Sequence, residues 1–252
     1  MTLTLEPGFC AIVTGASSGI GKAIADRFLI AGALVIGADL NIDDGAVPSE
    51  RFRPVRMDVS DEGAWRNIVD EAASLHGRLD AVVNVAGILS SGSIEEMAPD
   101  QLMRMLDVNT KSVFVACQEA IRAMKKHPGD KSIINIASAN AVKAQSWTSG
   151  YAASKAAVLS LTRTTALHCA EQGYDIRVNA ILPGIVRTPM VETLLAQASD
   201  PKAALADLER FHPTGRLLEP NEIADVALFL ASPLARGITG AGIAVDCGMT
   251  AG

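Results

Sequence analysis

Short apolar runs rich in Val and Ile alternate with longer segments of helical period from one end of the chain to the other, and this alternation limits the choice of fold most. The runs Cys10–Val13, Leu34–Ala38, Phe52–Met57, Ala81–Val85, Ser132–Ala137, Arg177–Ile181 and Gly242–Val245 read as strands. Between them the spacing predicts helices over Ile20–Ala31, Glu62–His76, Pro99–Lys126, Ala152–Gln172, a broken stretch over Val191–Phe211, and Asn221–Ala231. Strands joined by helical crossovers predict an α/β fold, a single doubly wound Rossmann-type domain over residues 1–252 with a seven-stranded parallel sheet flanked by helices. Only Asn41–Arg51 breaks the rhythm: with a Gly, a Pro and no helical period it predicts a loop where a crossover helix is usual.

Composition agrees and excludes several classes of function. The 49% apolar share is carried by Ala, Val, Ile and Leu, as expected when parallel strands are covered on both faces. A net charge of -6 without a Lys/Arg cluster gives no footprint for nucleic acid or an anionic membrane. The longest uncharged stretch, Pro7 to Gly21, is too short and too rich in Gly and Ser to span a bilayer, and no secretory signal is visible. Cys10, Cys117, Cys169 and Cys247 lie far apart, which fits reduced thiols in a cytoplasmic protein. His76, His127, His168 and His212 have no ligand spacing, so no metal site is expected and surface or capping roles are the default.

Thr14-Gly15-Ala16-Ser17-Ser18-Gly19-Ile20-Gly21 follows the first strand and opens the first helix. Glycines there permit a tight turn and close approach to a pyrophosphate, and the helix N-terminus offers free N–H groups. Asp39 ends the second strand, where a carboxylate accepts hydrogen bonds from adenosine ribose hydroxyls and repels a 2′-phosphate. Ser17, Ser18 and Leu40 supply no cation for that phosphate, so NAD(H) is expected and NADP(H) disfavoured.

Tyr151 and Lys155 are four residues apart, hence on one helix face, where an ammonium and a cationic nicotinamide would lower the tyrosine pKa and make it an acid/base. Ser138 ends one strand and Asn84-Val85-Ala86-Gly87 another at the same sheet edge, with Asn109 in the helix that follows.

Taken together, Thr14-Gly-x-x-x-Gly19-x-Gly21, Asp39, Asp58-Val59, Asn84-x-Ala86-Gly87, Asn109, Ser138, Tyr151-x-x-x-Lys155, Pro183-Gly184 with Thr188, and Val245-Asp246-x-Gly248 resemble a single-domain short-chain dehydrogenase/reductase over the whole chain. The resemblance implies NAD(P)-dependent hydride transfer at a secondary alcohol or ketone. Ser138 would orient the substrate oxygen, Tyr151 would exchange its proton, Lys155 would lower the tyrosine pKa and hold the nicotinamide ribose, and Asn109 would anchor a proton-relaying water. It also implies that Asp58 and Val59 contact adenine, that Asn84 and Gly87 flank the adenosine ribose, and that Ile185 with Thr188 fixes the carboxamide.

Three departures stand out: Val85 replaces the second Asn of Asn-Asn-Ala-Gly, Cys247 replaces the Gly before Gly248, and the Asn41–Arg51 loop replaces a helix. Val186 to Leu217 would fold over the substrate, with Ala139, Gln145, Trp147 and Met190 as candidate pocket walls. A ring-borne, sugar-like or steroid-like alcohol is one reading of the substrate and a 3-oxoacyl thioester (acyl-carrier-protein) reductase another; a non-catalytic dinucleotide sensor is a third function, opposed by the intact acid/base set. The long helices suggest burial beyond one subunit, and the family implies a homotetramer or dimer.

Overall fold

The computed structural model describes residues 3–42, 49–196 and 198–252. Its sheet contains β1 (Cys10–Thr14), β2 (Leu34–Asp39), β3 (Phe52–Arg56), β4 (Ala81–Asn84), β5 (Lys131–Ile136), β6 (Ile176–Pro183) and β7 (Gly242–Val245). All pairs are parallel, in the order β3-β2-β1-β4-β5-β6-β7. The order reverses between β1 and β4, which opens a crevice at their carboxyl ends.

Successive strand residues point to opposite faces, and both faces are buried. Ile12, Ile36 and Ile133 join Trp65, Val69, Ala116 and Val158 in one core cluster, while their neighbours Val13, Val35 and Ile134 join Phe28, Ile223 and Leu230 in the other. The first cluster is covered by α2 (Glu62–His76), α4 (Ser112–Met124) and α5 (Ser149–Glu171), the second by α1 (Gly19–Ile30) and α8 (Pro220–Ala231). α3 (Pro99–Leu106), α6 (Pro189–Ala196) and α7 (Pro201–Arg210) stand outside these layers.

The helix expected over Pro99–Lys126 is not one regular helix. A π turn over Asp107–Lys111 separates α3 from α4, with Ser112 N–H reaching back to Asp107 O. The stretch Val191–Phe211 is indeed broken, into α6 and α7. Most of the Asn41–Arg51 loop, residues 43–48, lies outside the described residues. All four cysteines are unpaired, and among the described residues no helix is long and apolar enough to cross a membrane.

Candidate active site

The carboxyl ends of β1 and β4 are tied by one hydroxyl. Thr14 Oγ1 accepts Val85 N–H (2.9 Å) and Ala86 N–H (3.1 Å), which places the 84–87 loop against the glycine turn. Gly15 is left-handed (φ 67°), and a Cβ there would sit 3.2 Å from Ala86 N. At Gly21 a Cβ would lie 2.1 Å from Gly15 O, so the turn closes only with glycine there.

The start of α1 is open to an anion. Ser18 stands at the N-cap in extended conformation without capping through its side chain, and the first turn has no acidic residue. As the first helical residues, Gly19, Ile20 and Gly21 have amides without intrahelical acceptors. This uncapped end, with a concavity that side chains would fill, fits a dinucleotide pyrophosphate. Ser17 N–H is instead taken by Asp39 Oδ2 (3.1 Å), whose Oδ1 accepts Asn41 N–H (2.9 Å). Asp39 thus stands at the rim of the turn as a carboxylate with half-exposed surface.

On the adenine side, Asp58 Oδ1 accepts Ser60 N–H (2.9 Å) and Ser60 Oγ–H (2.8 Å), and these bonds hold its pKa below the ordinary range. Val59 is buried, and its carbonyl accepts Trp65 Nε1–H (2.9 Å). Asn84 does not offer its side chain to the crevice. Its amide donates to Asn135 Oδ1 (2.8 Å), and Asn135 donates to Thr162 Oγ1 (2.9 Å), a polar rung buried between β4, β5 and α5.

Four residues meet beyond β4 and β5. Ser138 is buried just past β5, and its Oγ accepts Asn140 N–H (3.1 Å). Tyr151 and Lys155 project from one face of α5, with Lys155 Nζ 5.8 Å from the tyrosine ring centroid. Lys155 Nζ donates to Ile136 O (2.9 Å). Asn109, in the π turn, exchanges bonds with Ile88: its Oδ1 accepts Ile88 N–H (2.8 Å), and its Nδ2 donates to Ile88 O (2.9 Å) and Ser154 Oγ (3.0 Å). Gly87 lies between, where a Cβ would come 3.1 Å from Asn109 Oδ1 and 3.4 Å from Lys155 Nζ.

The sequence matches, over residues 15–250, a family model described as enoyl-(acyl carrier protein) reductase. The chain belongs to the short-chain dehydrogenase/reductase family. It is 40% identical over 250 residues to a 3-beta-hydroxysteroid dehydrogenase from Comamonas testosteroni, covering 98% of this chain and 97% of that one. An NADP-dependent (R)-specific alcohol dehydrogenase from Lentilactobacillus kefiri is 36% identical, with 97% of both chains covered. The ligand-free aldohexose dehydrogenase of Thermoplasma acidophilum superposes with a TM-score of 0.89 at 34% identity, over 98% of this chain and 95% of that one. These relatives make the chain an oxidoreductase of alcohols and ketones.

Within this short-chain dehydrogenase burial dominates the electrostatics of the ligand-free pair Tyr151 and Lys155. Burial raises the Tyr151 pKa, and a hydrogen bond with Ser138 opposes it. Lys155 is engaged by Ile136 O, and burial pushes its pKa down to about 8. Asn109 directs both its side-chain N–H groups to Ile88 and Ser154, so its side chain braces the loop after β4 against α5.

After β6 the chain turns through Pro183, Gly184 and Ile185, where Leu218 N–H donates to Ile185 O (3.0 Å) and Arg187 N–H to Leu218 O (2.8 Å). It then crosses to the start of α1, where a Cβ on Gly19 (φ 52°) would lie 3.2 Å from Thr188 Cγ2. Among the pocket candidates Ala139 is buried, Gln145 and Trp147 are half-buried, and Met190 is exposed. Trp147 O accepts Gly92 N–H (2.9 Å), which fastens the loop after β4 beside Tyr151. Three residues escaped the sequence reading: Thr14 as the strand tie, Ser154 as the support of Asn109, and His212. The last is not a surface group: it is buried, and its Nε2 accepts Ile185 N–H (2.9 Å). Thr14 and Ser154 sit inside recognised motifs and were open to notice, whereas nothing in the spacing of His212 links it to Ile185.

Proposed function

We propose that the protein is an NAD(H)-dependent dehydrogenase that interconverts a secondary alcohol and its ketone, with Tyr151 as general acid/base. The observation that carries this reading is the meeting of Ser138, Tyr151 and Lys155 at the sheet edge next to the uncapped start of α1. A bound nicotinamide dinucleotide supplies the hydride acceptor or donor. The turn at Gly15–Gly21 would hold its pyrophosphate, Asp39 the adenosine ribose, Asp58, Val59, Ala86 and Gly87 the adenine side, and Pro183 to Thr188 the nicotinamide side.

During oxidation Tyr151 takes the proton of the alcohol hydroxyl while the carbinol hydrogen departs as hydride; reduction reverses both transfers. Ser138 Oγ accepts Asn140 N–H through one lone pair and has its own proton free to donate to the substrate oxygen and fix its position. Lys155, held by Ile136 O, presents positive charge beneath the tyrosine. The side chain of Asn109 holds the loop after β4 against α5, which sets the spacing of this group.

Asp39 supports NAD over NADP. The Lentilactobacillus relative is NADP-dependent, so family membership does not select NAD and the choice rests on the charge at this position. Segment 186–217 would cover the substrate; it presents exposed Met190 and Leu194, with Val142 exposed beyond Ser138. Such a mouth favours a bulky apolar alcohol, in line with the hydroxysteroid relative. Phe114 and Leu167 are exposed on α4 and α5, and Phe114, Ile121 and Leu161 line a groove between those helices, which supports association of copies.

The test follows nicotinamide absorbance with a panel of secondary alcohols and NAD, and of ketones with NADH, ring-borne substrates included. Tyr151→Phe is expected to bind NADH normally and to lose roughly 10²–10⁴-fold in turnover. NADH binding without turnover of any panel member favours the sensor reading, and substantial activity in Tyr151→Phe removes the tyrosine from its role.

A further inference from the structure

His212 follows α7, has 2% of its surface exposed, and lies against the turn that leaves β6. Its Nε2 accepts Ile185 N–H at 2.9 Å. An imidazole nitrogen that accepts carries no proton, so in the neutral ring the proton sits on Nδ1. Nδ1 is buried and has no partner among the described residues. A buried donor without an acceptor costs about 1–3 kcal/mol, which a purely structural side chain would avoid.

The turn is shaped around this ring. A Cβ on Gly184 would lie 2.6 Å from His212 Nε2 and 3.0 Å from Asp246 Cα, so only glycine lets the imidazole reach the next amide. Burial lowers the His212 pKa, with Arg216 acting in the same direction and Asp246 against it, which preserves the neutral acceptor. Leu218, beyond His212 on the same strand of chain, pairs with Ile185 and Arg187. The stretch 212–218 therefore clamps 184–187 along its length. β6 lies beyond β4 and β5, on the side away from β2 and Asp39, so this clamp acts on the half of the crevice that holds Ser138 and Tyr151.

We propose that His212 is a positioning residue that fixes the Gly184–Thr188 turn for the nicotinamide half of the cofactor, and thereby ties the segment over the substrate to the reacting ring. The inference rests on the nicotinamide-dependent reading above. Its test compares NADH with ADP-ribose, which carries the adenosine diphosphoribose but no nicotinamide, by calorimetric titration of the full chain. His212→Ala is expected to weaken NADH about tenfold or more, with ADP-ribose affinity held within about twofold. His212→Gln, whose Oε1 can accept the Ile185 N–H, is expected to recover most of the NADH affinity. Gly184→Ala, which displaces the ring without altering it, is expected to reproduce the NADH-selective loss and serves if His212→Ala does not fold. Equal loss of both ligands, or loss of neither, overturns the inference alone. A wild-type protein that binds ADP-ribose but shows no stronger or different binding of NADH overturns the reading beneath it as well.

Discussion

The ammonium of Lys155 donates to the main-chain carbonyl of Ile136, the last residue of β5, at 2.9 Å and lies 5.8 Å from the centroid of the Tyr151 ring. The lysine is therefore held by the sheet and not by the tyrosine it serves. Burial has brought its pKa from 10.5 to about 8, while the same burial raises that of Tyr151. In the ligand-free protein the pair is a desolvated ammonium beside a neutral phenol, and a cationic nicotinamide supplies the charge that would favour phenolate.

Removing the buried charge should stabilise the ligand-free fold. A lysine with a depressed folded pKa costs stability fully below about 8, and that cost disappears as pH rises to the unfolded value of 10.5. Lys155→Met is expected to raise stability at pH 7 by about 1–3 kcal/mol, reduced by the loss of the bond to Ile136 O, and to abolish turnover. Thermal melts at pH 7 and pH 10 check it: the advantage over wild type must be larger at pH 7.

Asp39 serves two masters, since its carboxylate already receives Ser17 N–H and Asn41 N–H. Asp39→Asn retains an acceptor oxygen for one of these amides and removes the charge. The NAD over NADP preference, measured as the ratio of kcat/KM values, is expected to fall at least about tenfold. An unchanged ratio removes the charge at this position as its cause.

At Gly21 a methyl group meets main chain, 2.1 Å from Gly15 O and 2.8 Å from Thr14 O. Gly21→Ala is expected to cost about 2–4 kcal/mol and to lower the urea midpoint together with NADH affinity, because the glycine turn must open. A variant as stable as wild type contradicts the close packing of this turn.

Cys247 is the one non-glycine residue with positive φ (52°) among the described residues. The family's usual glycine at this position is thus explained by backbone conformation, and the departure noted in the sequence carries strain. Cys247→Gly is expected to gain about 0.5–1 kcal/mol, some 1–4 °C in Tm, with cofactor affinity unchanged. A lower Tm would show that the cysteine side chain contributes more than its backbone costs.

The strands were legible because Val and Ile runs buried on both faces leave a plain signal, and the glycine turn because its spacing answers to a steric need. Ser138, Tyr151 and Lys155 were readable as a set, and the structure brings them together. What could not be read is what depends on distant partners. The Asn84 side chain turns to Asn135 rather than to the crevice, the Lys155 ammonium finds Ile136 O, and His212 finds Ile185 N–H. Each bond joins segments separated in sequence, and no local period records it. The break in the Pro99–Lys126 helix was hidden for a related reason: a π turn changes the path of the main chain without a Gly or Pro to mark it.

That π turn makes the length of the helix itself part of the machinery. A deletion at Val108 would let Asp107–Lys111 wind as ordinary α-helix, which leaves α3 and α4 in nearly their present phase but removes the widened turn that carries Asn109. The two helices would keep their packing while Asn109 lost the turn from which it reaches Ile88 and Ser154. The number of residues in this stretch is therefore constrained as tightly as their identity, and insertions or deletions belong elsewhere in the chain.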